Sequence, residues 1–223
     1  MEDVMKNWWY YHKWYVIIGV ILLGVAIDVI GSSLGLFTKP PDLQIAYIGK
    51  APLPQDTLAA LQQAFTSLSG DYNHDGEIIV QINQYVSDSN TTDVDTAYYQ
   101  YASEITLIGD ISNCDSYFFL MEDPQDFQQT YKLLALPDGS CPDETDYSIE
   151  DKVIIWSDCH ILSEMELGSY TEILMGQTNT GDNSELLANL YLGRRCFYTD
   201  TVTDNLQECS DLWDMLYRSV INQ

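Results

Sequence analysis

The stretch DLQIAYIG (residues 42–49), followed by LAALQQAFTSL (58–68) and EIIVQINQY (77–85), decides the fold. The first run alternates and is apolar, like a buried strand. The second follows Pro54-Gln55-Asp56-Thr57 and repeats Leu58, Leu61, Ala64, Phe65 and Leu68 at helical spacing. The third is rich in Ile and Val, with alternation, as a strand requires. Strand, helix and strand in that order make a β-α-β unit with parallel strands and a right-handed crossover.

Working outward, DVDTAYYQYASEITLIGDI (93–111) places Tyr98, Tyr101, Ala102, Ile105 and Ile108 on one helical face, and DSYFFLM (115–121) reads as a third buried strand. The pattern is β-α-β-α-β. Asp123-Pro124 opens a turn or short helix through 125–134, and 136–149 is a polar, turn-rich loop. Residues 153–156 and 187–198 are further strand candidates. NLQECSDLWDMLYRSV (205–220) is a closing amphipathic helix with Leu206, Cys209, Leu212, Trp213, Leu216 and Val220 inward. The expected fold class is therefore α/β, a three-layer domain over residues 42–223.

The order DLQIAYIG, helix, DYNHDGEIIVQINQY (71–85), helix, ASEITLIGDISNCDSYFFLMEDPQDFQ (102–128) resembles the first lobe of the type II extracellular solute-binding proteins, the bilobal binders that feed bacterial ABC transporters. The resemblance covers roughly Asp42 to Tyr131 and implies a bacterial, membrane-anchored recognition domain with no assigned activity. The departure is as informative: residues 38–223 have room for one lobe, so closure of two lobes around a solute is not expected. No ligand-binding residue carries over, because those vary with the solute and sit on both lobes.

Toward the N-terminus, VIIGVILLGVAI (16–27) and VIGSSLGLF (29–37) flank Asp28. A single-span helix needs about 20 mostly apolar residues, so residues 15–37 are expected to cross a membrane. A cleaved signal peptide is the competing reading, but the run is long and lacks an A-x-A site. Trp8, Trp9, Tyr10, Tyr11, Trp14 and Tyr15 belong at the headgroup level. Lys6 and Lys13 precede the span and Lys39 alone follows it closely, which puts residues 1–14 in the cytoplasm, 38–41 (Thr-Lys-Pro-Pro) as a stiff linker, and 42–223 outside the cell. Asp28 is costly in hydrocarbon unless paired or near the outer interface, and is a candidate contact with a membrane partner.

The 223 residues carry 34 Asp+Glu against 9 Lys+Arg, a formal charge of -25. A phosphate backbone is repelled by such a surface, so no nucleic-acid partner is expected. With 46% hydrophobic residues the chain has material for a core and is not a disordered acidic tail.

Asp71-Tyr72-Asn73-His74-Asp75-Gly76-Glu77 has the form D-x-N-x-D-G. Oxygens of Asp71, Asn73 and Asp75, with the main-chain oxygen of Glu77, can converge on calcium while Gly76 allows the sharp turn. An EF-hand needs a bidentate Glu at the twelfth position, which is Ile82 here. The alternative is a polar connection in which these side chains make Asx turns and Gly76 takes a positive φ. Five cysteines, Cys114, Cys141, Cys159, Cys196 and Cys209, leave at least one unpaired; Cys141 with Cys159 and Cys196 with Cys209 are possible pairs. Arg194-Arg195 is the one basic cluster of the domain, a site for an anion or a pair of ion-paired residues.

No H-E-x-x-H, G-x-S-x-G or P-loop occurs, so no enzymatic function is expected. The expected function is a membrane-tethered extracellular module that binds a solute or protein partner. The alternative is a calcium-stabilised structural subunit of a larger membrane assembly.

Overall fold

The computed structural model describes residues 12–15, 17–23, 25, 39–86, 94–174 and 177–221. The chain divides into two compact units, Met1–Pro40 and Pro41–Gln223. In the first, the described residues from His12 to Val25 are helical, and Trp14, Tyr15, Ile17 and the aliphatic residues after them are exposed. Most of the expected span at 15–37, Asp28 included, lies outside the described residues. Among those described, no helix is long and apolar enough to cross a membrane.

The second unit is a mixed α/β domain. Strands β1 (Leu43–Gly49), β2 (Val80–Val86) and β3 (Phe118–Met121) alternate with helices α1 (Gln55–Leu68) and α2 (Val94–Asn113), as the apolar periodicities predict. Helix α3 (Pro124–Tyr131) follows β3. Its start is written in the chain: the Asp123 carboxylate accepts the Asp126 N–H at 3.0 Å, Pro124 takes the first turn, and Lys132 ends it at φ 57°. After the 136–149 loop come β4 (Val153–Ile155), the short α4 (His160–Ser163), β5 (Ser169–Leu174), β6 (Gln177–Asp182), α5 (Asn183–Leu187), β7 (Tyr191–Arg194) and the closing α6 (Leu206–Ile221).

The main sheet has the order β2-β1-β3-β7-β4. β1 pairs in parallel with β2 (Leu43 opposite Val80) and with β3 (Ile45 opposite Phe118). The sheet is parallel only there, because β7 runs antiparallel to both β3 and β4. Antiparallel β5 and β6 form a separate hairpin. Its residues SYTEIL and QTNTGD are too polar to announce a buried strand. The hairpin is fastened to α1 by the Thr171 N–H donating to the Asp56 carboxylate at 2.9 Å.

Alternation along the strands sorts the core into two faces. On one, Leu43, Ile45, Tyr47, Phe118 and Leu120 pack against Leu61 and Phe65 of α1 and Leu212, Trp213 and Leu216 of α6. On the other, Ala46, Tyr85, Phe119 and Met121 pack against Leu107 of α2 and Phe127 of α3. The layers are helix, sheet, helix.

Helix α2 corrects the simplest reading of its periodicity. Tyr98, Tyr101, Ala102, Ile105 and Ile108, its apolar face, are all exposed. The side turned inward bears Ser103, Leu107 and Asp110. Polar bonds explain the inversion. The Val86 N–H donates to Ser103 Oγ at 2.7 Å, and the buried Asp110 carboxylate accepts from Tyr85 Oη (2.8 Å), Ser116 Oγ (2.6 Å) and the Ser116 N–H (3.0 Å). Buried polar groups satisfied in this way hold a helix in one rotation that hydrophobicity alone does not select.

Candidate functional site

The chain leaves β1 toward the α1 face and β3 toward the α3 face, so a crevice must open between the carboxyl ends of these neighbouring strands. Such a reversal of crossover direction is where open α/β sheets bind ligands. A cavity of about 620 Å³ lies there, within the usual size for small-ligand sites. Its floor is the carboxyl ends of β1, β2 and β3, and its walls are α2 and α3.

Gly49 ends β1 at this floor. A Cβ there would lie 2.1 Å from Tyr47 Oη and 2.7 Å from Glu122 Oε1, so the absence of a side chain lets the phenol pass over the backbone. Tyr47 Oη then donates to Glu122 Oε1 at 2.9 Å and lies 3.1 Å from the Ala51 carbonyl. Burial, and secondarily the Glu122 carboxylate, push the Tyr47 phenol well above its ordinary range. The phenol stays a donor and fixes one oxygen of Glu122.

Four carboxylates, Glu104, Glu122, Asp123 and Asp126, line the crevice, and Lys50 is the one base among its lining residues. Their field is felt locally: burial first, then the charges of Glu104 and Asp126, raise the Tyr131 phenol. Tyr85, Tyr101, Phe127 and Tyr131 supply aromatic walls. Gln100 adds an amide whose Nε2 is buried without a hydrogen-bond partner. The arrangement attracts cations, offers ring faces to them, and holds one unused donor.

None of the residues singled out by motif lies in this crevice. Asp71, Asn73 and Asp75 sit on the connection from α1 to β2, where their oxygens accept backbone N–H groups of the same turn. Asp71 Oδ1 and Asn73 Oδ1 both accept from Asp75, Asp71 Oδ2 from Gly76, and Asp75 Oδ1 from Glu77, at 2.9–3.0 Å. His74 and Gly76 take φ of 59° and 87°. The buried Asp42 carboxylate clamps the turn from outside, accepting from the N–H groups of Tyr72 (2.7 Å), Asn73 (3.0 Å) and Ile79 (2.8 Å). Among the described residues no group of three or more His, Cys, Asp or Glu side chains is placed to hold a metal ion.

Arg194 and Arg195 are buried and partnered. Arg194 donates to the Leu136 and Pro137 carbonyls, lies 3.8 Å from Asp214 and stacks on Trp213. Arg195 donates to the Ile111 carbonyl and lies 4.0 Å from Asp110. Their chemistry is structural. All five cysteines are free thiols in this structure, and Cys141 lies beside Cys196, which is neither of the two pairings that the sequence left open. Burial, then the neighbouring Cys141 thiol, push the Cys196 thiol up to about 12.

The crevice residues escaped motif reading because no short pattern marks them. Their one signal is position: Gly49 is the last residue of β1 and Glu122-Asp123 stand immediately after β3 in a β-α-β-α-β unit. Strand order, which a single sequence does not state, is needed to bring the two ends together. No known family, curated protein or solved structure matches the chain.

Proposed function

We propose that the chain is a membrane-tethered extracellular recognition module of the bacterial surface, non-enzymatic, with the crevice between β1 and β3 as its binding site. The observation that carries the reading is the 620 Å³ cavity at the reversal point of the sheet, with acidic and aromatic walls. The apolar segment at 15–37 and the lysines before it support tethering with the N-terminus inside. The single-lobe resemblance to solute-binding proteins supports recognition over catalysis.

Placement is tested on cells expressing the full chain with a C-terminal epitope. A protease that cannot enter intact cells is expected to remove the epitope, and the untreated chain is expected to stay in carbonate-washed membranes. Protection of the epitope until lysis overturns the outward placement, and release by carbonate overturns the tether. Saturable turnover of a defined substrate by the purified chain overturns the non-enzymatic reading.

A further inference from the structure

Monomeric proteins rarely leave a contiguous apolar stripe in water without a use for it. Helix α2 leaves one: Tyr98, Tyr101, Ile105 and Ile108 are 77, 64, 52 and 49% exposed. Their spacing puts them along one side of the helix. Their rotation outward is held by the inner bonds of Ser103 and Asp110. The stripe does not stop at the helix. Tyr101 belongs both to it and to the crevice lining, and Glu104, one residue before Ile105, carries the negative wall of the crevice to the same helix.

We propose that the α2 stripe and the crevice form one docking surface for a basic, amphipathic polypeptide segment, whose apolar side chains cover the stripe while a Lys or Arg side chain enters the crevice. The inference rests on the crevice being the recognition site. Charge selects the occupant. Glu104, Glu122, Asp123 and Asp126 face a single lining base, and the rings of Tyr101 and Tyr131 favour a cation further. The buried, unpartnered Gln100 Nε2 asks for an acceptor, which a main-chain carbonyl supplies and a simple amine does not.

The same charges exclude two other occupants. A second copy brings -25 of its own, and its Lys152, Arg194 and Arg195 are buried in its own fold. An anionic lipid surface is repelled by the crevice carboxylates. An amphipathic helix laid along a groove is an established recognition mode, anchored at i, i+3, i+4 and i+7.

The test uses the full chain in phosphatidylcholine nanodiscs, with empty discs as the blank, and a fluorescein-labelled amphipathic peptide of Lys and Leu read by anisotropy. Saturable binding is expected. It should weaken about tenfold or more in Glu122→Gln/Asp126→Asn, and by a similar factor in Tyr101→Ser/Ile105→Ser. It should be unchanged in Glu164→Gln/Glu166→Gln, which removes equal charge elsewhere. A peptide with Glu in place of Lys should not bind. Thermal melts of each variant show that the fold is retained.

Binding that the two charge-removing double variants weaken equally, and that Tyr101→Ser/Ile105→Ser leaves unchanged, is charge attraction alone and overturns the proposal. Spermidine binding that needs the crevice carboxylates, with a peptide that ignores the stripe, makes the crevice a small-cation site; it overturns the docking surface and leaves the recognition reading standing. If neither probe binds, the docking surface is overturned and the recognition reading loses its cationic ligand, while the protease test of placement is untouched.

Discussion

The two faces of the central sheet are built on opposite principles. Among the described residues, the face under α1 and α6 gathers twenty-four buried residues into one cluster, whereas the face under α2 and α3 gathers eight. The first is closed by large side chains, with Phe65 edge-on to Trp156 at 6.3 Å and Phe118 stacked on Trp213 at 6.2 Å. The second is held by a few polar bonds around Asp110 and by Leu107 and Phe127. Apolar burial is non-directional and tolerates no opening, whereas hydrogen bonds fix a helix at a few points and leave room between them. One face therefore supplies stability and the other the crevice.

The contrast is sharpest in paired substitutions. Phe65→Ala removes a fully buried ring from the thick face and is expected to cost about 3–5 kcal/mol in denaturant unfolding. Ile105→Ser on the exposed side of α2 is expected to stay within about 0.5 kcal/mol of the parent, since little burial is lost. Equal losses at the two positions would mean that the α2 stripe is covered within the chain itself.

A second pair of measurements separates the means of attachment. Asp110→Ala deprives Tyr85 Oη, Ser116 and the buried Arg195 of their shared carboxylate, and leaving such groups unpaired costs on the order of 3 kcal/mol. Hydrogen exchange should localise the effect, with α2 amides losing protection before those of α1 and α6. A uniform loss across all three helices would show that the faces unfold as one unit and that the division drawn between them has no energetic content.

How much of this was legible in the sequence follows the same division. The thick face announced itself: DLQIAYIG, the Leu58–Leu68 periodicity and the closing helix around Trp213 are patterns of burial, and each falls where periodicity puts it. The thin face did not. The apolar side of α2 is the stronger periodic signal, yet the helix is turned by Ser103 and Asp110, whose partners are specific: Val86 and Tyr85 on the preceding strand and Ser116 just past the end of the helix. Hydrophobic periodicity reports transfer from water and is blind to bonds of that kind. The crevice was illegible for a related reason. It exists because β3 lies beside β1, and pairing order is a property of the assembled sheet.

The smallest expected effect concerns the Asp71–Glu77 turn, where the sequence offered calcium or an ordinary polar connection. The oxygens that would bind the ion already accept four backbone hydrogen bonds within the turn. Ile82, at the position where an EF-hand places its bidentate carboxylate, is buried in the thick face opposite Ile45. No conformational change short of unstitching β1 from β2 brings a ligand there. Binding limited to the remaining oxygens falls in the millimolar range, and an ion present near its Kd stabilises by only about 0.4 kcal/mol. The melting midpoint in millimolar calcium is thus expected to exceed that in chelator by roughly 1 °C or less. Asp71→Ala should lower both midpoints equally, because what it removes is the turn's own hydrogen bonding. A shift of several degrees that Asp71→Ala abolishes would move this turn from the scaffold to the functional part of the molecule, and the stable face of the sheet would then carry a site of its own.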